Sequence, residues 1–243
     1  MKLLIDAGNT RIKWALVDND EWLRSGVLPV EQAGALPQQF VGVRDIQQIW
    51  VSNVAGDTIA QHIRNIKVGD SNFIAAQEKQ CGVRNGYSNA GQLGSDRWAA
   101  LIAAWHLVRG KCMVVNCGTA ITIDALSGQG EFLGGLILPG VELMQRSLVD
   151  ATDQLKSAQG VYVPLPLNTA DALFSGAIQA SCGAIERQYT LLGDDSAPVI
   201  LSGGTAGLLQ PYLNRKLFKM PLHIVDNIVL RGLLVMAQEA DCN

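Results

Sequence analysis

Apolar and polar positions alternate in short runs at the start of each half of the chain and recur at helical spacing later in each half. Lys2 to Ile5, Arg11 to Val17 and Trp22 to Leu28 predict three strands, the middle one placing Ile12, Trp14 and Leu16 on one face. Their short links make them antiparallel neighbours. A further strand is expected at Gln48 to Val51. Ser95-Asp96-Arg97-Trp98 then opens a helix whose Trp98, Leu101, Ile102 and Trp105 keep 3.6-residue spacing up to Gly110, with Ser95 as the expected cap. The second half predicts strands at Cys112 to Val115, Ile121 to Leu126 and Phe132 to Leu138, then a helix entered through Pro139-Gly140. A long amphipathic helix is expected from Asn168-Thr169-Ala170-Asp171 to Gly193. Another, from Asp226-Asn227, carries Ile228, Leu230, Leu233 and Leu234. Between them Pro198 to Gly204 reads as a strand running into a glycine turn.

The two halves resemble each other. Leu4-Ile5-Asp6-Ala7-Gly8-Asn9-Thr10 laid over Val114-Val115-Asn116-Cys117-Gly118-Thr119-Ala120 aligns two apolar strands, each closing on Asp or Asn, one residue and Gly. The same offset pairs Ala15-Leu16 with Ala125-Leu126. An internally duplicated α/β fold is expected, with lobes at 1–110 and 111–243.

Composition narrows the function without naming it. Among 243 residues, 19 basic and 22 acidic side chains give a net charge of −3, and there is no Lys/Arg run, so nucleic acid and anionic membranes are poor candidate partners. The N-terminal apolar run stops at Asp6, so no signal-peptide core is expected, and Ala99 to Trp105 and Leu233 to Ala237 fall short of the ~18 residues of a membrane span. A cytoplasmic protein is expected. Its five cysteines contain no Cys-x-x-Cys pair, and His62, His106 and His223 share no metal-binding spacing. These side chains are expected to be structural.

The chemistry gathers at glycine turns. Asp6-Ala7-Gly8-Asn9-Thr10-Arg11 lies between two strands; its Gly8 permits close backbone approach, and Asn9, Thr10 and free N–H groups suit phosphate oxygens. Asp6 at the strand end could hold a hydrated Mg²⁺ against such phosphates. Taken alone the segment is equally compatible with a plain hairpin turn. Asn116 to Thr122 and Ser202-Gly203-Gly204-Thr205 offer two more turns of this type, as a nucleotide held between two lobes would need. Gly94-Ser95-Asp96-Arg97 brings a carboxylate and a guanidinium to a helix start. There Asp96 could complement the helix dipole or take a proton in phosphoryl transfer, and Arg97 could pair with a substrate carboxylate or with a structural acid.

Together these segments match a pattern. Asp6-x-Gly8-Asn9-Thr10, Tyr87 with Gly94-x-Asp96-Arg97, Cys117-Gly118-Thr119-Ala120-x-Thr122, Gly134-Gly135-x-Ile137-x-Pro139-Gly140, Asn168-Thr169 and Ser202-Gly203-Gly204 occur in order along nearly the whole chain. The sequence thereby resembles the type III pantothenate kinases, also called the Bvg accessory factor family. The resemblance implies a duplicated ribonuclease-H-like fold of the actin, sugar kinase and Hsp70 superfamily. It further implies a homodimer and transfer of the ATP γ-phosphate to pantothenate in the first step of coenzyme A synthesis. It makes Asp6, Gly8, Asn9, Thr10, Arg11 and Lys13 the first phosphate loop, with Asp6 toward Mg²⁺, and Gly118, Thr119, Gly203 and Gly204 further ATP contacts. Tyr87, Gly94, Ser95, Asp96 and Arg97 would hold pantothenate, Asp96 would accept its proton, and Thr169 would reach pantothenate across the dimer interface. The family pattern has Asp, which binds a monovalent cation such as K⁺ or NH₄⁺, where this chain has Asn116. An amide supplies one neutral oxygen instead of a charge, so the sequence leaves that requirement open, with Asp124 as an alternative carboxylate. Two other functions are compatible with the motifs: a nucleotide-binding regulatory protein without turnover, and a kinase of the same superfamily acting on another small alcohol or acid.

Overall fold

The computed structural model describes residues 1–66, 69–152, 159–213 and 220–242. Strands β1 (Lys2–Ala7), β2 (Arg11–Asp18), β3 (Glu21–Pro29), β4 (Gln48–Asn53) and β5 (Asp70–Phe73) form one sheet in the order β3-β2-β1-β4-β5. Strands β6 (Lys79–Gln80) and β7 (Val83–Arg84) make a small separate hairpin. A second sheet contains β8 (Cys112–Cys117), β9 (Ala120–Leu126), β10 (Phe132–Pro139), β11 (Val199–Ser202) and β12 (Leu222–Ile224), in the order β10-β9-β8-β11-β12. Replacing each strand of the first sheet by its counterpart in the second reproduces the same order. In both, the first two strands pair antiparallel and the last three run parallel. The duplication read from the two glycine turns is therefore a duplication of topology.

Helices α1 (Asp57–Arg64), α2 (Ser95–Val108), α3 (Val141–Asp150), α4 (Thr169–Leu192), α5 (Ala206–Leu209) and α6 (Ile228–Asp241) cover the sheets. The period of two decides how. In the first sheet Leu3, Ile5, Ala7, Ile12, Trp14, Leu16, Ile49 and Val51 turn one way, onto Leu36, Phe40, Ile59 and Ile63 of the 3₁₀ turns and α1. Asp6 and Lys2 turn the other way, and Lys2 Nζ donates to the Ala237 carbonyl of α6, 3.3 Å away, which marks α6 as the cover of that face. In the second sheet Met113, Val115, Cys117, Ile121, Ile123, Val199 and Leu201 pack on Ala177, Ile178, Cys182 and Ile185 of α4.

Contacts divide the chain into two units: Met1–Arg109 with Gly130–Phe132 and Asn227–Asn243, and Gly110–Gln129 with Leu133–Asp226. The sequence pattern puts everything after residue 110 in the second lobe. Instead α6 belongs with the first unit, because its apolar face is consumed by α2 and the β1/β4 face. The reading also passed over α1, β5 and β12. β5 is a polar Asp-Ser-Asn-Phe edge and β12 is only three residues long, so neither carries a period. The expected cap of α2 moves as well: Gly94 is the N-cap residue without a side-chain bond, and Ser95 is the first helical residue. All five cysteines are free and four are buried. Among the described residues no helix is long and apolar enough to cross a membrane.

The α2/α6 crossing is unusually close, since a Cβ built on Gly232 would overlap the Ala99 carbonyl. Gly232→Ala is expected to destabilise the protein by about 1–3 kcal/mol, the usual cost of overpacking, read as a lowered urea midpoint with an unchanged slope.

Candidate active site

In the first unit the turn after β1 is a tight hairpin: Ala7 pairs with Ile12, and the Gly8 N–H donates to the Arg11 carbonyl at 3.0 Å. This leaves Asn9, Thr10 and Arg11 exposed at the tip. Asp6, one pair further in, is half-buried opposite Lys13 on β2 and beside Ser52 on β4. Loss of solvent and the nearby charge of Asp96 push its carboxyl up to about 7, against a smaller opposing pull from Lys13. The end of β1 and the start of α2 therefore bring Asp6 and Asp96 into one electrostatic neighbourhood.

Asp96 is half-buried in the first turn of α2, and its Oδ1 accepts from the Arg97 N–H at 2.8 Å. Gly94 makes that fold-back possible, because a Cβ at this position would sit 2.7 Å from Asp96 Oδ1. Ser95 turns its hydroxyl inward, sharing a 2.9 Å hydrogen bond with Ser52 Oγ. Arg97 is only 5% exposed. It donates to the Tyr87 hydroxyl at 3.0 Å, and its guanidinium carbon lies 5.7 Å from the Phe132 ring centre and 5.9 Å from that of Tyr87. The two rings are 5.6 Å apart. Tyr87 is presented by a loop of side-chain-closed turns, Asn85 Oδ1 accepting from the Tyr87 N–H at 3.0 Å and Asn85 Nδ2 donating to the Ala90 carbonyl at 3.1 Å. Arg97 is thus a buried guanidinium held by aromatic side chains, with the geometry fixed before any ligand arrives. Phe132 escaped the sequence reading because it lies far along the chain, in a strand that otherwise belongs to the second sheet.

The second unit assembles its own glycine turns. Asn116 is half-buried at the end of β8 and pairs in register with Ser202, as Asp6 pairs with Ser52. Gly118 and Thr119 are exposed, the Gly140 N–H donates to the Thr119 carbonyl at 2.7 Å, and the Thr205 N–H donates to the Cys117 carbonyl at 3.2 Å. Gly203 has φ +99° and no room for a Cβ, which would overlap the Cys117 backbone. The turns carrying Gly118, Gly140 and Gly203 therefore meet at the ends of β8 and β11, with Gly204 exposed beside them. Asp124 is 1% exposed on β9, opposite Val114 and two residues from Thr122, the partner of Asn116, which places it on the Asn116 face of the sheet. Among the described residues no cluster of three or more His, Cys, Asp or Glu forms a metal site. Thr169 is exposed at the first position of α4, where Asn168 caps the helix by accepting from the Asp171 N–H at 2.9 Å. It borders an apolar groove of about 490 Å³ lined by Met144, Leu148, Leu173 and Ala177.

The residues suit Mg²⁺ and nucleotide phosphates. Asp6 is a carboxyl whose ionisation is opposed by burial and by a second acid, a situation that a bound cation relieves. Asn9, Thr10, Gly118, Thr119 and Gly204 are exposed at the turns, where their main-chain groups can be reached.

A raised carboxyl pKa means that folding favours the protonated form. The stability gained from neutral Asp6 is fully present below its ordinary 3.8 and is lost as the pH rises through about 7. Asp6→Asn should therefore raise the melting temperature of the nucleotide- and metal-free protein more at pH 8 than at pH 5, a difference that calorimetry at the two pH values reads directly.

Residues 2–191 match the family profile of the type III pantothenate kinases. A type III pantothenate kinase of Nitrosospira multiformis is 46% identical over 98% of this chain and 91% of its own length. Among solved structures, a conserved Baf family protein from Campylobacter jejuni aligns at 24% identity and a TM-score of 0.63, covering 99% of this chain and 100% of its own. The ADPNP-bound activator of 2-hydroxyisocaproyl-CoA dehydratase from Clostridium difficile shares the fold at 11% identity and a TM-score of 0.54, covering 98% and 93% of the two chains. With one sheet order used twice, the chain has the duplicated two-sheet α/β fold expected from its sequence and shares it with these structures and with a putative 2-dehydro-3-deoxygalactonokinase from Sinorhizobium meliloti, at 13% identity and a TM-score of 0.59 over 99% of both chains. By the match of its sequence along its length, the chain belongs to the type III pantothenate kinase family.

Proposed function

We propose that the protein phosphorylates pantothenate with ATP to give 4'-phosphopantothenate, the entry reaction of coenzyme A synthesis, as a cytoplasmic homodimer. The observation that carries the reading is the meeting of Asp6 and Asp96 at the strand end and helix start of one unit, beside the exposed Asn9-Thr10-Arg11 tip. Asp6 would hold Mg²⁺, which when bound offsets the charge of the phosphates. Asn9, Thr10, Arg11, Lys13 and the main chain of Gly8 would bind phosphate oxygens, and Gly118, Thr119, Gly203 and Gly204 would supply the corresponding contacts of the second repeat. Tyr87, Gly94, the main chain of Ser95 and Arg97 would hold pantothenate, joined by Thr169 of the partner subunit. Support for such an assembly comes from the apolar groove beside Thr169, which the exposed Leu148 of α3 lines, and from the exposed Val161, Leu165 and Leu167 in the segment that leads into α4.

Asp96 then takes the proton of the attacking hydroxyl as the new O–P bond forms and the bond from the γ-phosphorus to the ADP oxygen breaks. A carboxylate can serve because, in a loose transition state, the alcohol loses its proton late. Its Oδ1 is engaged by the Arg97 N–H, which leaves Oδ2 to face the hydroxyl. Arg97, held by aromatic side chains, would receive the pantothenate carboxylate without reorganising.

The decisive assay is ADP release from ATP and Mg²⁺ with and without pantothenate. Release that needs pantothenate is expected; ATP consumption only with another acceptor, or none at all, overturns the reading. Asp96→Asn should lower kcat by about 100-fold or more while nucleotide binding, followed by thermal shift, stays intact. Rates compared in K⁺, NH₄⁺ and Na⁺ show whether the neutral Asn116 has removed a monovalent-cation requirement.

A further inference from the structure

Ser52 lies in the interior of the first unit, outside every motif in the sequence. Parallel pairing of β1 and β4 sets it beside Asp6, and register partners in a sheet present their side chains to the same face. It is 0% exposed. A hydroxyl in such a place costs free energy unless it is bonded, and an alanine would fill the position more cheaply. Its partner is Ser95 Oγ, 2.9 Å away and itself 8% exposed. Ser95 is the first residue of α2, whose N-cap, Gly94, offers no side-chain bond. The start of the helix is thus tied sideways to the sheet, one residue before Asp96 and one strand away from Asp6.

We propose that Ser52 is a positioning residue for the phosphoryl transfer: through its hydrogen bond to Ser95 it fixes where α2 begins relative to the end of β1, and so where Asp96 stands relative to Asp6. This rests on the reading of Asp96 as proton acceptor. The Ser52–Ser95 bond joins the strand that pairs with Asp6 to the residue that precedes Asp96, so it is a direct tie between the two parts of the scaffold that carry the acids. A displacement of about 1 Å at a reacting group can cost on the order of 100-fold in rate, so a single hydroxyl pair can control turnover without touching substrate.

The test is a double-mutant cycle of Ser52→Ala, Ser95→Ala and the double variant, with kcat, KM for ATP and pantothenate, and melting temperature measured for each. Each single variant is expected to lower kcat by about 10- to 100-fold with KM for ATP unchanged, and the double variant to be no slower than the worse single. Removing both hydroxyls leaves no lone buried polar group, so the double variant should recover melting temperature while kcat stays low. A merely structural pair would recover both together. The proposal is overturned if Ser52→Ala keeps kcat within two-fold of wild type, if the two losses multiply, or if kcat returns with stability. Should Ser52→Ala fail to fold, the double variant decides alone by the same criterion. Absence of pantothenate-dependent turnover in the wild type is a different outcome: it overturns the kinase reading and the proposal with it, whereas wild-type turnover with unaffected variants removes the positioning role only.

Discussion

Two carboxylates brought to one corner of a folded domain are the constraint around which the first unit is organised. Asp6 has given up much of its solvent and feels the charge of Asp96, so the apo protein holds an arrangement that its own electrostatics oppose. The scaffold supplies the opposing forces. β1 is the central strand of its sheet, with β2 and β4 on either side, so Asp6 cannot move without breaking a ladder. α2 is anchored along its length by α6 and at its first turn by Ser52 and by the Arg97–Tyr87 bond.

The duplicated topology gives both units one local frame at the end of the first strand. Each repeat ends its first strand in a short polar residue followed by a glycine turn, and beside that residue each places a buried serine from the fourth strand of its sheet: Ser52 next to Asp6, Ser202 next to Asn116. The repeats have diverged around this shared frame. The first retains a carboxylate at the strand end, while the second carries a neutral amide there and spends its glycines on close main-chain packing, Gly203 against Cys117 and Gly140 against Gly118 and Thr119.

Arg97 and Asp96 show how adjacent residues of one helix turn acquire opposite environments. Successive positions on a helix point about 100° apart, so Asp96 is left half-buried at the rim while Arg97 is sunk beneath Tyr87 and Phe132. The Tyr87 hydroxyl and the faces of Tyr87 and Phe132 help to orient the guanidinium. Such an arrangement is suited to pairing with a ligand carboxylate, because little rotamer freedom is left to lose.

The chain's local chemistry determined a good deal without help from tertiary structure. Strict alternation in Ile12, Trp14 and Leu16, helical spacing in Trp98, Leu101 and Ile102, and glycines after apolar runs are all short-range signals, and they suffice to place the main strands, the long helices and the glycine turns. They also mark Asp6 and Asp96 as candidates, at a strand end and a helix start, whereas Tyr87 is singled out only by the family resemblance. Other features depend on which distant segments meet. That α6 closes the first unit instead of the second, that Phe132 stacks on Tyr87, and that Ser95 faces Ser52 rather than capping its own helix are decided by pairing across tens to hundreds of residues. A lone serine in a strand has no period and no motif, because its significance lies wholly in the hydroxyl it finds on the other side of the core.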